Sequence, residues 1–335
     1  MTHILVVAPL KEELIDKIRT ASREVTVEQL ILPDGVWPAD RTTNAEIIYT
    51  SSDIPPAELA PNLRWVQSHW AGIDPLRNRP IWDSETIITT ASGVHATAIA
   101  QHLFSKILFF ANRIPEWQAF KQNEVWPMNQ QREQFRPIEL RGKTLGILGY
   151  GSLGREIARI ANTFGMDVLA TKRNMKKTSE SGFRVEGTGD PEGELPLRLY
   201  PGEATRSMMS ECDFVAITLP LTDTTEGLID SGMLRAMKST AYLFNVARGK
   251  IIVEADLITA LNKGWIAGAG LDVYSQEPLP SDSPLWRIHN ALMSPHVAGL
   301  NQSYDERIVE LFTENLRRYL VGEPVLNLVN RENGY

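Results

Sequence analysis

The chain has one cysteine, Cys212, among 335 residues. That excludes an intramolecular disulfide and a cysteine-rich zinc site. The thiol follows Glu211 and reads as a small buried hydrophobe. No run of about 18 apolar residues is present, so no membrane-spanning helix is expected. Residues 3–8 are a short apolar run followed by Lys11, Glu12 and Glu13, without a basic leader, which is the pattern of a first strand and not of a signal peptide. A cytoplasmic protein is the expectation. Positive charge is also in deficit: Lys+Arg is 34 against 41 Asp+Glu, a formal net charge of −7. This argues against a nucleic-acid partner, while a local basic site for a small anion stays compatible with it. His95 and His102 are seven apart and show no metal-ligand spacing, so no metal is expected. No internal repeat or low-complexity tract is found.

At roughly 100–200 residues per domain, the length suggests two domains. Short apolar runs at 3–8, 25–32, 45–49 and 64–67 alternate with helical or broken stretches, the rhythm of a parallel sheet with crossover helices. A helix is expected at 96–111, where Ile99, Leu103, Ile107 and Phe110 make more than one face apolar. Such a helix is buried between elements or between subunits, and a homodimer through it is expected. Residues 112–143 read as an irregular connection. Strands follow at 144–148, 168–170, 214–218, 241–245, 266–271 and 291–293, with helices at 152–164, 230–237 and 254–263, and a last helix at 303–320. The expected fold is α/β, with two domains that are each a parallel sheet with flanking helices, the larger a Rossmann-type dinucleotide-binding domain. The boundaries expected are 1–100 with 300–335 for a substrate-binding domain, and 101–299 for the dinucleotide-binding domain. Residues 174–207, rich in Gly, Pro and Glu, break the rhythm and read as a long insertion.

Gly149-Tyr150-Gly151-Ser152-Leu153-Gly154 follows the strand at 144–148 and opens the helix at 152–164. That is the context a dinucleotide-binding G-x-G-x-x-G requires. Gly149 permits the tight turn, Gly151 lets backbone approach a pyrophosphate at the helix N-terminus, and Gly154 lets helix and strand pack closely. Ser152 and Leu153 open the helix at that point. An NAD site places an acid about 20 residues on, at the end of the second strand. Here that strand ends Ala170-Thr171-Lys172-Arg173-Asn174, with no carboxylate. Lys172 and Arg173 would attract a ribose 2′-phosphate, so NADP(H) is expected, with NAD(H) less favoured.

Three later strand ends each carry one chemically useful residue. They are Arg248 in Asn245-Val246-Ala247-Arg248-Gly249, Glu277 in the 271–280 segment, and His296 in Ser294-Pro295-His296-Val297-Ala298-Gly299. Ligands in open α/β sheets bind beyond the carboxyl ends of strands. An Arg there can clamp a carboxylate, and a His can exchange a proton with a carbonyl or hydroxyl.

The chain resembles the D-isomer-specific 2-hydroxyacid dehydrogenases. The resemblance spans nearly the whole sequence and is dense from Leu140 to Gly299. It rests on the glycine motif, Pro220-Leu221-Thr222, the Arg248-Gly249 and Asp272…Glu277-Pro278 segments, and Pro295-His296-Val297-Ala298-Gly299, with intervals of 29 (277 − 248) and 19 (296 − 277). The resemblance implies reversible reduction of a small 2-keto acid to a D-2-hydroxy acid. Arg248 would bind the substrate carboxylate, His296 would act as general acid or base, and Glu277 would hold and charge His296. Leu219, Pro220, Val246, Ala247, Asp272, His296 and Gly299 would line the cofactor. Trp70, Ala71, Gly72 and Ile73 resemble the substrate loop, with backbone N–H groups near Gly72 and Ile73 meeting the carboxylate. Two departures stand out: Thr218 where many members have His, and Gln101 where many have Glu. The rival readings are a formate dehydrogenase-like enzyme, whose relatives carry Gln in place of Glu277, and a cofactor-sensing corepressor-type binding protein, which the acidic composition disfavours.

Overall fold

The computed structural model describes residues 1–335 apart from Pro33 and Ser52, and leaves aside the side chain of Ala119. The chain divides into two units: Met1–His95 with Ser181–Gly187 and Leu300–Tyr335, and Ala96–Glu180 with Thr188–Gly299.

In the first unit, strand β1 (Thr2–Val7) alternates between two cores, as a central strand covered on both faces must. Ile4 and Val6 join Ile15, Ile18, Ile308 and Phe312 on one face, under the helices Glu12–Thr20 and Tyr304–Leu320. Leu5 and Val7 join Trp37, Ile48, Val66 and Ile81 on the other. With β2 (Val25–Gln29), β3 (Ile47–Thr50), β4 (Trp65–Ser68) and β5 (Ile87–Thr89), the order is β2-β1-β3-β4-β5, all parallel. Strand β5 lies outside the four apolar runs read from the sequence. It is an edge strand with only two apolar residues in a row, Ile87 and Ile88, so no apolar run marks it.

The second unit holds a parallel sheet of seven strands. They are β6 (Thr144–Leu148), β7 (Asp167–Thr171), β8 (Arg198–Tyr200), β9 (Phe214–Ile217), β10 (Tyr242–Asn245), β11 (Gly268–Leu271) and β12 (Ala291–Met293). The order β12-β11-β10-β9-β6-β7-β8 puts the reversal of strand order at β6. A doubly wound sheet opens its ligand crevice there, beyond the strand ends. Six strands were expected; the seventh, β8, lies inside the supposed insertion. It is a three-residue edge strand whose first residue, Arg198, is exposed, so no apolar run marks it. The same stretch continues into the helix Thr205–Glu211. Of the remaining insertion, residues 181–187 belong to the first unit, where Phe183 packs on the core and its N–H donates to Asn327 Oδ1 at 3.0 Å.

The helix Ala96–Ala111 has the expected bounds. Its Ile99, Leu103, Phe104, Ile107 and Phe110 bury against Leu145, Ile157 and Phe244 of its own unit. Much of the multi-sided apolar pattern is thus met without a second subunit. Cys212 is buried, its thiol donates to the Met208 carbonyl at 3.1 Å, and burial pushes its pKa up to about 12. This is an inert packing residue. Among the described residues no helix is long and apolar enough to cross a membrane.

Candidate active site

The site residues of the second unit come from turns at the carboxyl ends of β6, β7, β10, β11 and β12. After β6, Gly149 takes φ +101°, a conformation that side chains rarely adopt. A Cβ on Gly154 would lie 2.4 Å from the Gly149 carbonyl oxygen, so the third glycine is required by helix-to-turn packing. A Cβ on Gly151 would meet nothing within 4 Å. The first helical bond runs from the Arg155 N–H to the Gly151 carbonyl, so the positive end of the helix Ser152–Thr163 opens beside this clear backbone face. These are the features a pyrophosphate needs, and the residues present fit a dinucleotide. The turn is held by Thr171, whose Oγ1 accepts the Gly149 N–H at 3.0 Å, and by Thr218, whose hydroxyl donates to the Leu148 and Gly149 carbonyls at 3.0 and 2.7 Å. Thr218, a departure from the family's pattern, therefore supports the turn directly.

Lys172 follows β7. Its backbone pairs with Tyr200 and its Nζ lies 3.4 Å from the Tyr150 carbonyl oxygen. Burial, with help from the charges of Arg155 and Lys177, lowers its pKa. Arg173 beside it is exposed. After β10, Asn245 folds the strand end back: its Nδ2 donates to the Arg248 carbonyl at 2.8 Å and its Oδ1 accepts the Ala247 N–H at 3.1 Å. Next to Arg248, a Cβ on Gly249 would sit 1.9 Å from the Tyr274 carbonyl carbon. Only glycine allows the β10 turn to touch the β11 loop there.

That loop carries Glu277, whose Oε1 accepts the Tyr274 N–H at 2.9 Å and whose Oε2 lies 2.6 Å from His296 Nδ1. An ionised carboxylate only accepts hydrogen bonds, so Nδ1 carries the proton and Nε2 is left for another partner. His296 has φ +52°, an uncommon backbone state for a residue with a side chain.

A profile of the family described as D-isomer specific 2-hydroxyacid dehydrogenase, NAD binding domain, matches residues 104–298. The glyoxylate reductase of Korarchaeum cryptofilum is 35% identical over 275 residues, 82% of this chain and 78% of that protein. The glyoxylate reductase of Pyrococcus furiosus is 32% identical over 326 residues, covering 96% and 91%. Among solved structures, the D-isomer specific 2-hydroxyacid dehydrogenase of Xanthobacter autotrophicus Py2, in complex with NADPH and MES, superposes with a TM-score of 0.82 at 27% identity, covering 100% and 99%. The chain belongs to the D-isomer-specific 2-hydroxyacid dehydrogenase family.

Other residues expected around the cofactor of this 2-hydroxyacid dehydrogenase follow the ends of β9, β10, β11 and β12. Asp272, expected to line the cofactor, is 1% exposed. Its Oδ1 accepts the Ser294 hydroxyl at 2.5 Å and the Val297 N–H at 3.1 Å, and its Oδ2 accepts the Ala298 N–H at 3.0 Å. The backbone N–H of His296 donates to the Asp272 carbonyl at 2.8 Å. Asp272 is a bracket for the histidine loop. The Val246 side chain is buried in the core. Leu219 lies against the Gly149 turn, while Pro220, Ala247 and Gly299 are half-buried near their strand ends.

Under the bracket sits a layer the sequence reading missed. His102 Nε2 is 3.0 Å from Ser294 Oγ, and the buried Lys106 Nζ donates to the Leu271 and Leu292 carbonyls at 3.1 and 3.3 Å. Burial pushes Lys106 down to about 8, against the attraction of Asp272. Burial also lowers the pKa of His102, with Lys106 contributing. The helical spacing marks His102 and Lys106 as one turn apart, but nothing local points to partners more than 160 residues away.

In the first unit, Trp70 is 43% exposed and stands edge-on to His69, at 4.6 Å between centroids. His69 is a structural hydrogen-bonder: its Nδ1 is 2.6 Å from Tyr49 Oη, and its carbonyl accepts the Tyr304 hydroxyl at 2.5 Å. Ala71 and Gly72 are half-buried, and Ile73 is buried in the core. Among the described residues no group of His, Cys, Asp and Glu could hold a metal ion.

Proposed function

We propose that this protein reduces a small 2-keto acid to the D-2-hydroxy acid with NADPH, reversibly, with NADH a poorer donor. The observation that carries this reading is the His296–Glu277 pair. One carboxylate oxygen is pinned by the Tyr274 N–H and the other orients the ring through Nδ1. When bound, the nicotinamide cofactor supplies the hydride for the carbonyl carbon. In the protonated ring both nitrogens carry a proton, and His296 Nε2 then donates its own to the carbonyl oxygen, leaving the Nδ1 proton hydrogen-bonded to Glu277; in the oxidative direction the neutral ring takes the hydroxyl proton back at Nε2. Arg248 binds the substrate carboxylate through its forked donors and draws charge toward the carbonyl oxygen. Trp70, Ala71, Gly72 and Ile73 form the proposed substrate loop.

Glu277 favours this chemistry over formate oxidation, which has no substrate oxygen to protonate. The preference for NADPH is supported by Lys172 and Arg173 in place of an acid at the end of β7, and by the NADPH held by the Xanthobacter relative. The glyoxylate reductases among the relatives make glyoxylate the first substrate to try. A panel of glyoxylate, hydroxypyruvate and bulkier 2-keto acids, each with NADPH and NADH, tests the reading. Turnover with a 2-keto acid and a lower KM for NADPH supports it. No turnover with any of them overturns it. Of the domains expected at 1–100 with 300–335 and at 101–299, we assign the first to substrate and the second to cofactor, with 96–100 going to the cofactor unit and 181–187 to the substrate unit. A cytoplasmic homodimer without nucleic-acid or membrane partners is the working assembly, checked by sedimentation.

A further inference from the structure

The supposed insertion is built into the glycine turn. Arg155, the residue after Gly154, is 1% exposed although it carries a permanent charge. A buried guanidinium needs partners, and they come from the insertion: NH1 donates to the Asp190 carbonyl and NH2 to the Thr178 carbonyl, while Nε makes an ion pair with the Glu180 carboxylate at 3.0 Å without hydrogen-bond geometry. Its guanidinium also stacks 4.8 Å over the ring of Tyr150, the second residue of the glycine motif. The Tyr150 hydroxyl donates to Asp190 Oδ2 at 2.5 Å, and the Asp190 carboxylate also accepts the N–H groups of Gly193, Glu194 and Leu195 at 3.1 Å each. Glu156, again 1% exposed, accepts the Gly189 N–H at 2.7 Å while Arg159 holds it from the other side. Gly193 is needed for closure, because a Cβ there would lie 2.7 Å from the Thr178 carbonyl oxygen.

The glycine turn and Lys172 are joined through the same groups. Lys172 Nζ reaches the Tyr150 carbonyl, and Glu180, Arg155 and Lys177 are the charges that act on it. Removing the Asp190 anchor would release Tyr150 and the backbone against which Lys172 rests.

We propose that residues 178–180 and 188–195 are a buckle that sets selectivity for the adenosine 2′-phosphate, with Asp190 and Tyr150 as positioning residues that fix Lys172. The proposal rests on the NADPH reading above. It assigns the insertion a role in cofactor choice through atoms that need not touch the cofactor.

The experiment is calorimetric titration of the protein with adenosine 2′,5′-bisphosphate and with 5′-AMP, which differ only in the 2′-phosphate. It is run on the wild type, Tyr150→Phe, Asp190→Ala and, as a control outside the buckle, Glu186→Ala. The wild type and Glu186→Ala are expected to bind the bisphosphate more tightly. Tyr150→Phe, which keeps the ring over Arg155 and loses only the hydroxyl, is expected to lose about tenfold of that preference, the size of one charge-assisted hydrogen bond. Asp190→Ala should lose more, with 5′-AMP affinity changing less in both variants. If Asp190→Ala fails to fold, Tyr150→Phe alone decides. A wild type without preference for the bisphosphate overturns the NADPH reading. A wild type with the preference, retained in folded Tyr150→Phe and Asp190→Ala, overturns the buckle alone.

Discussion

The turn after β6 and the loop after β12 lie at the same ends of strands in one parallel sheet, and they are held in opposite ways. The β6 turn is shaped by missing side chains: Gly149 for its positive φ, Gly151 for a clear face, Gly154 for contact. The β12 loop is shaped by side chains that arrive from elsewhere. Asp272 brackets it from β11, and His102 and Lys106 support it from a helix far away in sequence. A backbone that must approach a phosphate needs room, whereas a histidine that must pass a proton needs its geometry fixed. A misplacement of about 1 Å is enough to cost about 10²-fold in rate.

If the β12 loop depends on its bracket, Asp272→Ala is the most damaging change outside the reacting groups. It leaves two backbone N–H groups and a hydroxyl without their acceptor. The expected result is a fall of about 10²-fold in kcat for 2-keto acid reduction, with NADPH affinity largely kept. Steady-state kinetics beside a cofactor titration checks this. Equal losses in both would mean that Asp272 serves the cofactor after all.

Next in size is Gly249→Ala. Its Cβ would collide with the Tyr274 carbonyl, so the β10 and β11 turns must separate, at a cost of about 1–3 kcal/mol or more. Denaturant melts measure the cost, and the KM for the keto acid should rise because Arg248 is the neighbouring residue.

A subtler effect separates the two regions by pH. The pKa of Lys106 falls from 10.5 to about 8 on folding. Its contribution is therefore fully present above about 10.5 and lost as pH falls through about 8, where the buried amine must carry charge. Stability should rise with pH across that window, and Lys106→Met should flatten the rise. In the buckle, burial pushes Asp190 up. The Tyr150 hydroxyl, the Leu195 and Glu194 N–H groups and the charge of Arg155 outweigh it and hold Asp190 below 3.8. Its contribution is present above 3.8 and lost as pH falls through the lower folded value. Asp190→Asn should remove that acid-side slope, the smallest of these effects, as read by melts below pH 5.

The contrast also explains what could be read from the sequence. The glycine turn is a local pattern, and so are the long strands and the helix Ala96–Ala111. The spacing of Arg248, Glu277 and His296 was legible through resemblance, and the structure joins the last two at 2.6 Å. Strands β5 and β8 were not legible, because neither carries more than two apolar residues in a row. Asp272 was expected at the cofactor, and its hold on the Ser294 hydroxyl and the Val297 and Ala298 N–H groups was not legible, because nothing local marks a carboxylate as buried. The buckle was invisible because Arg155 is paired largely with backbone carbonyls, which any residue supplies.

The claim on which the rest depends is that His296, oriented by Glu277, passes the proton. Single-turnover oxidation of NADPH by glyoxylate in His296→Ala, with NADPH binding measured on the same protein, tests it most directly. The account predicts retained cofactor affinity and a rate lower by about 10²–10⁴-fold; a variant that binds NADPH and turns over near the wild-type rate would contradict it.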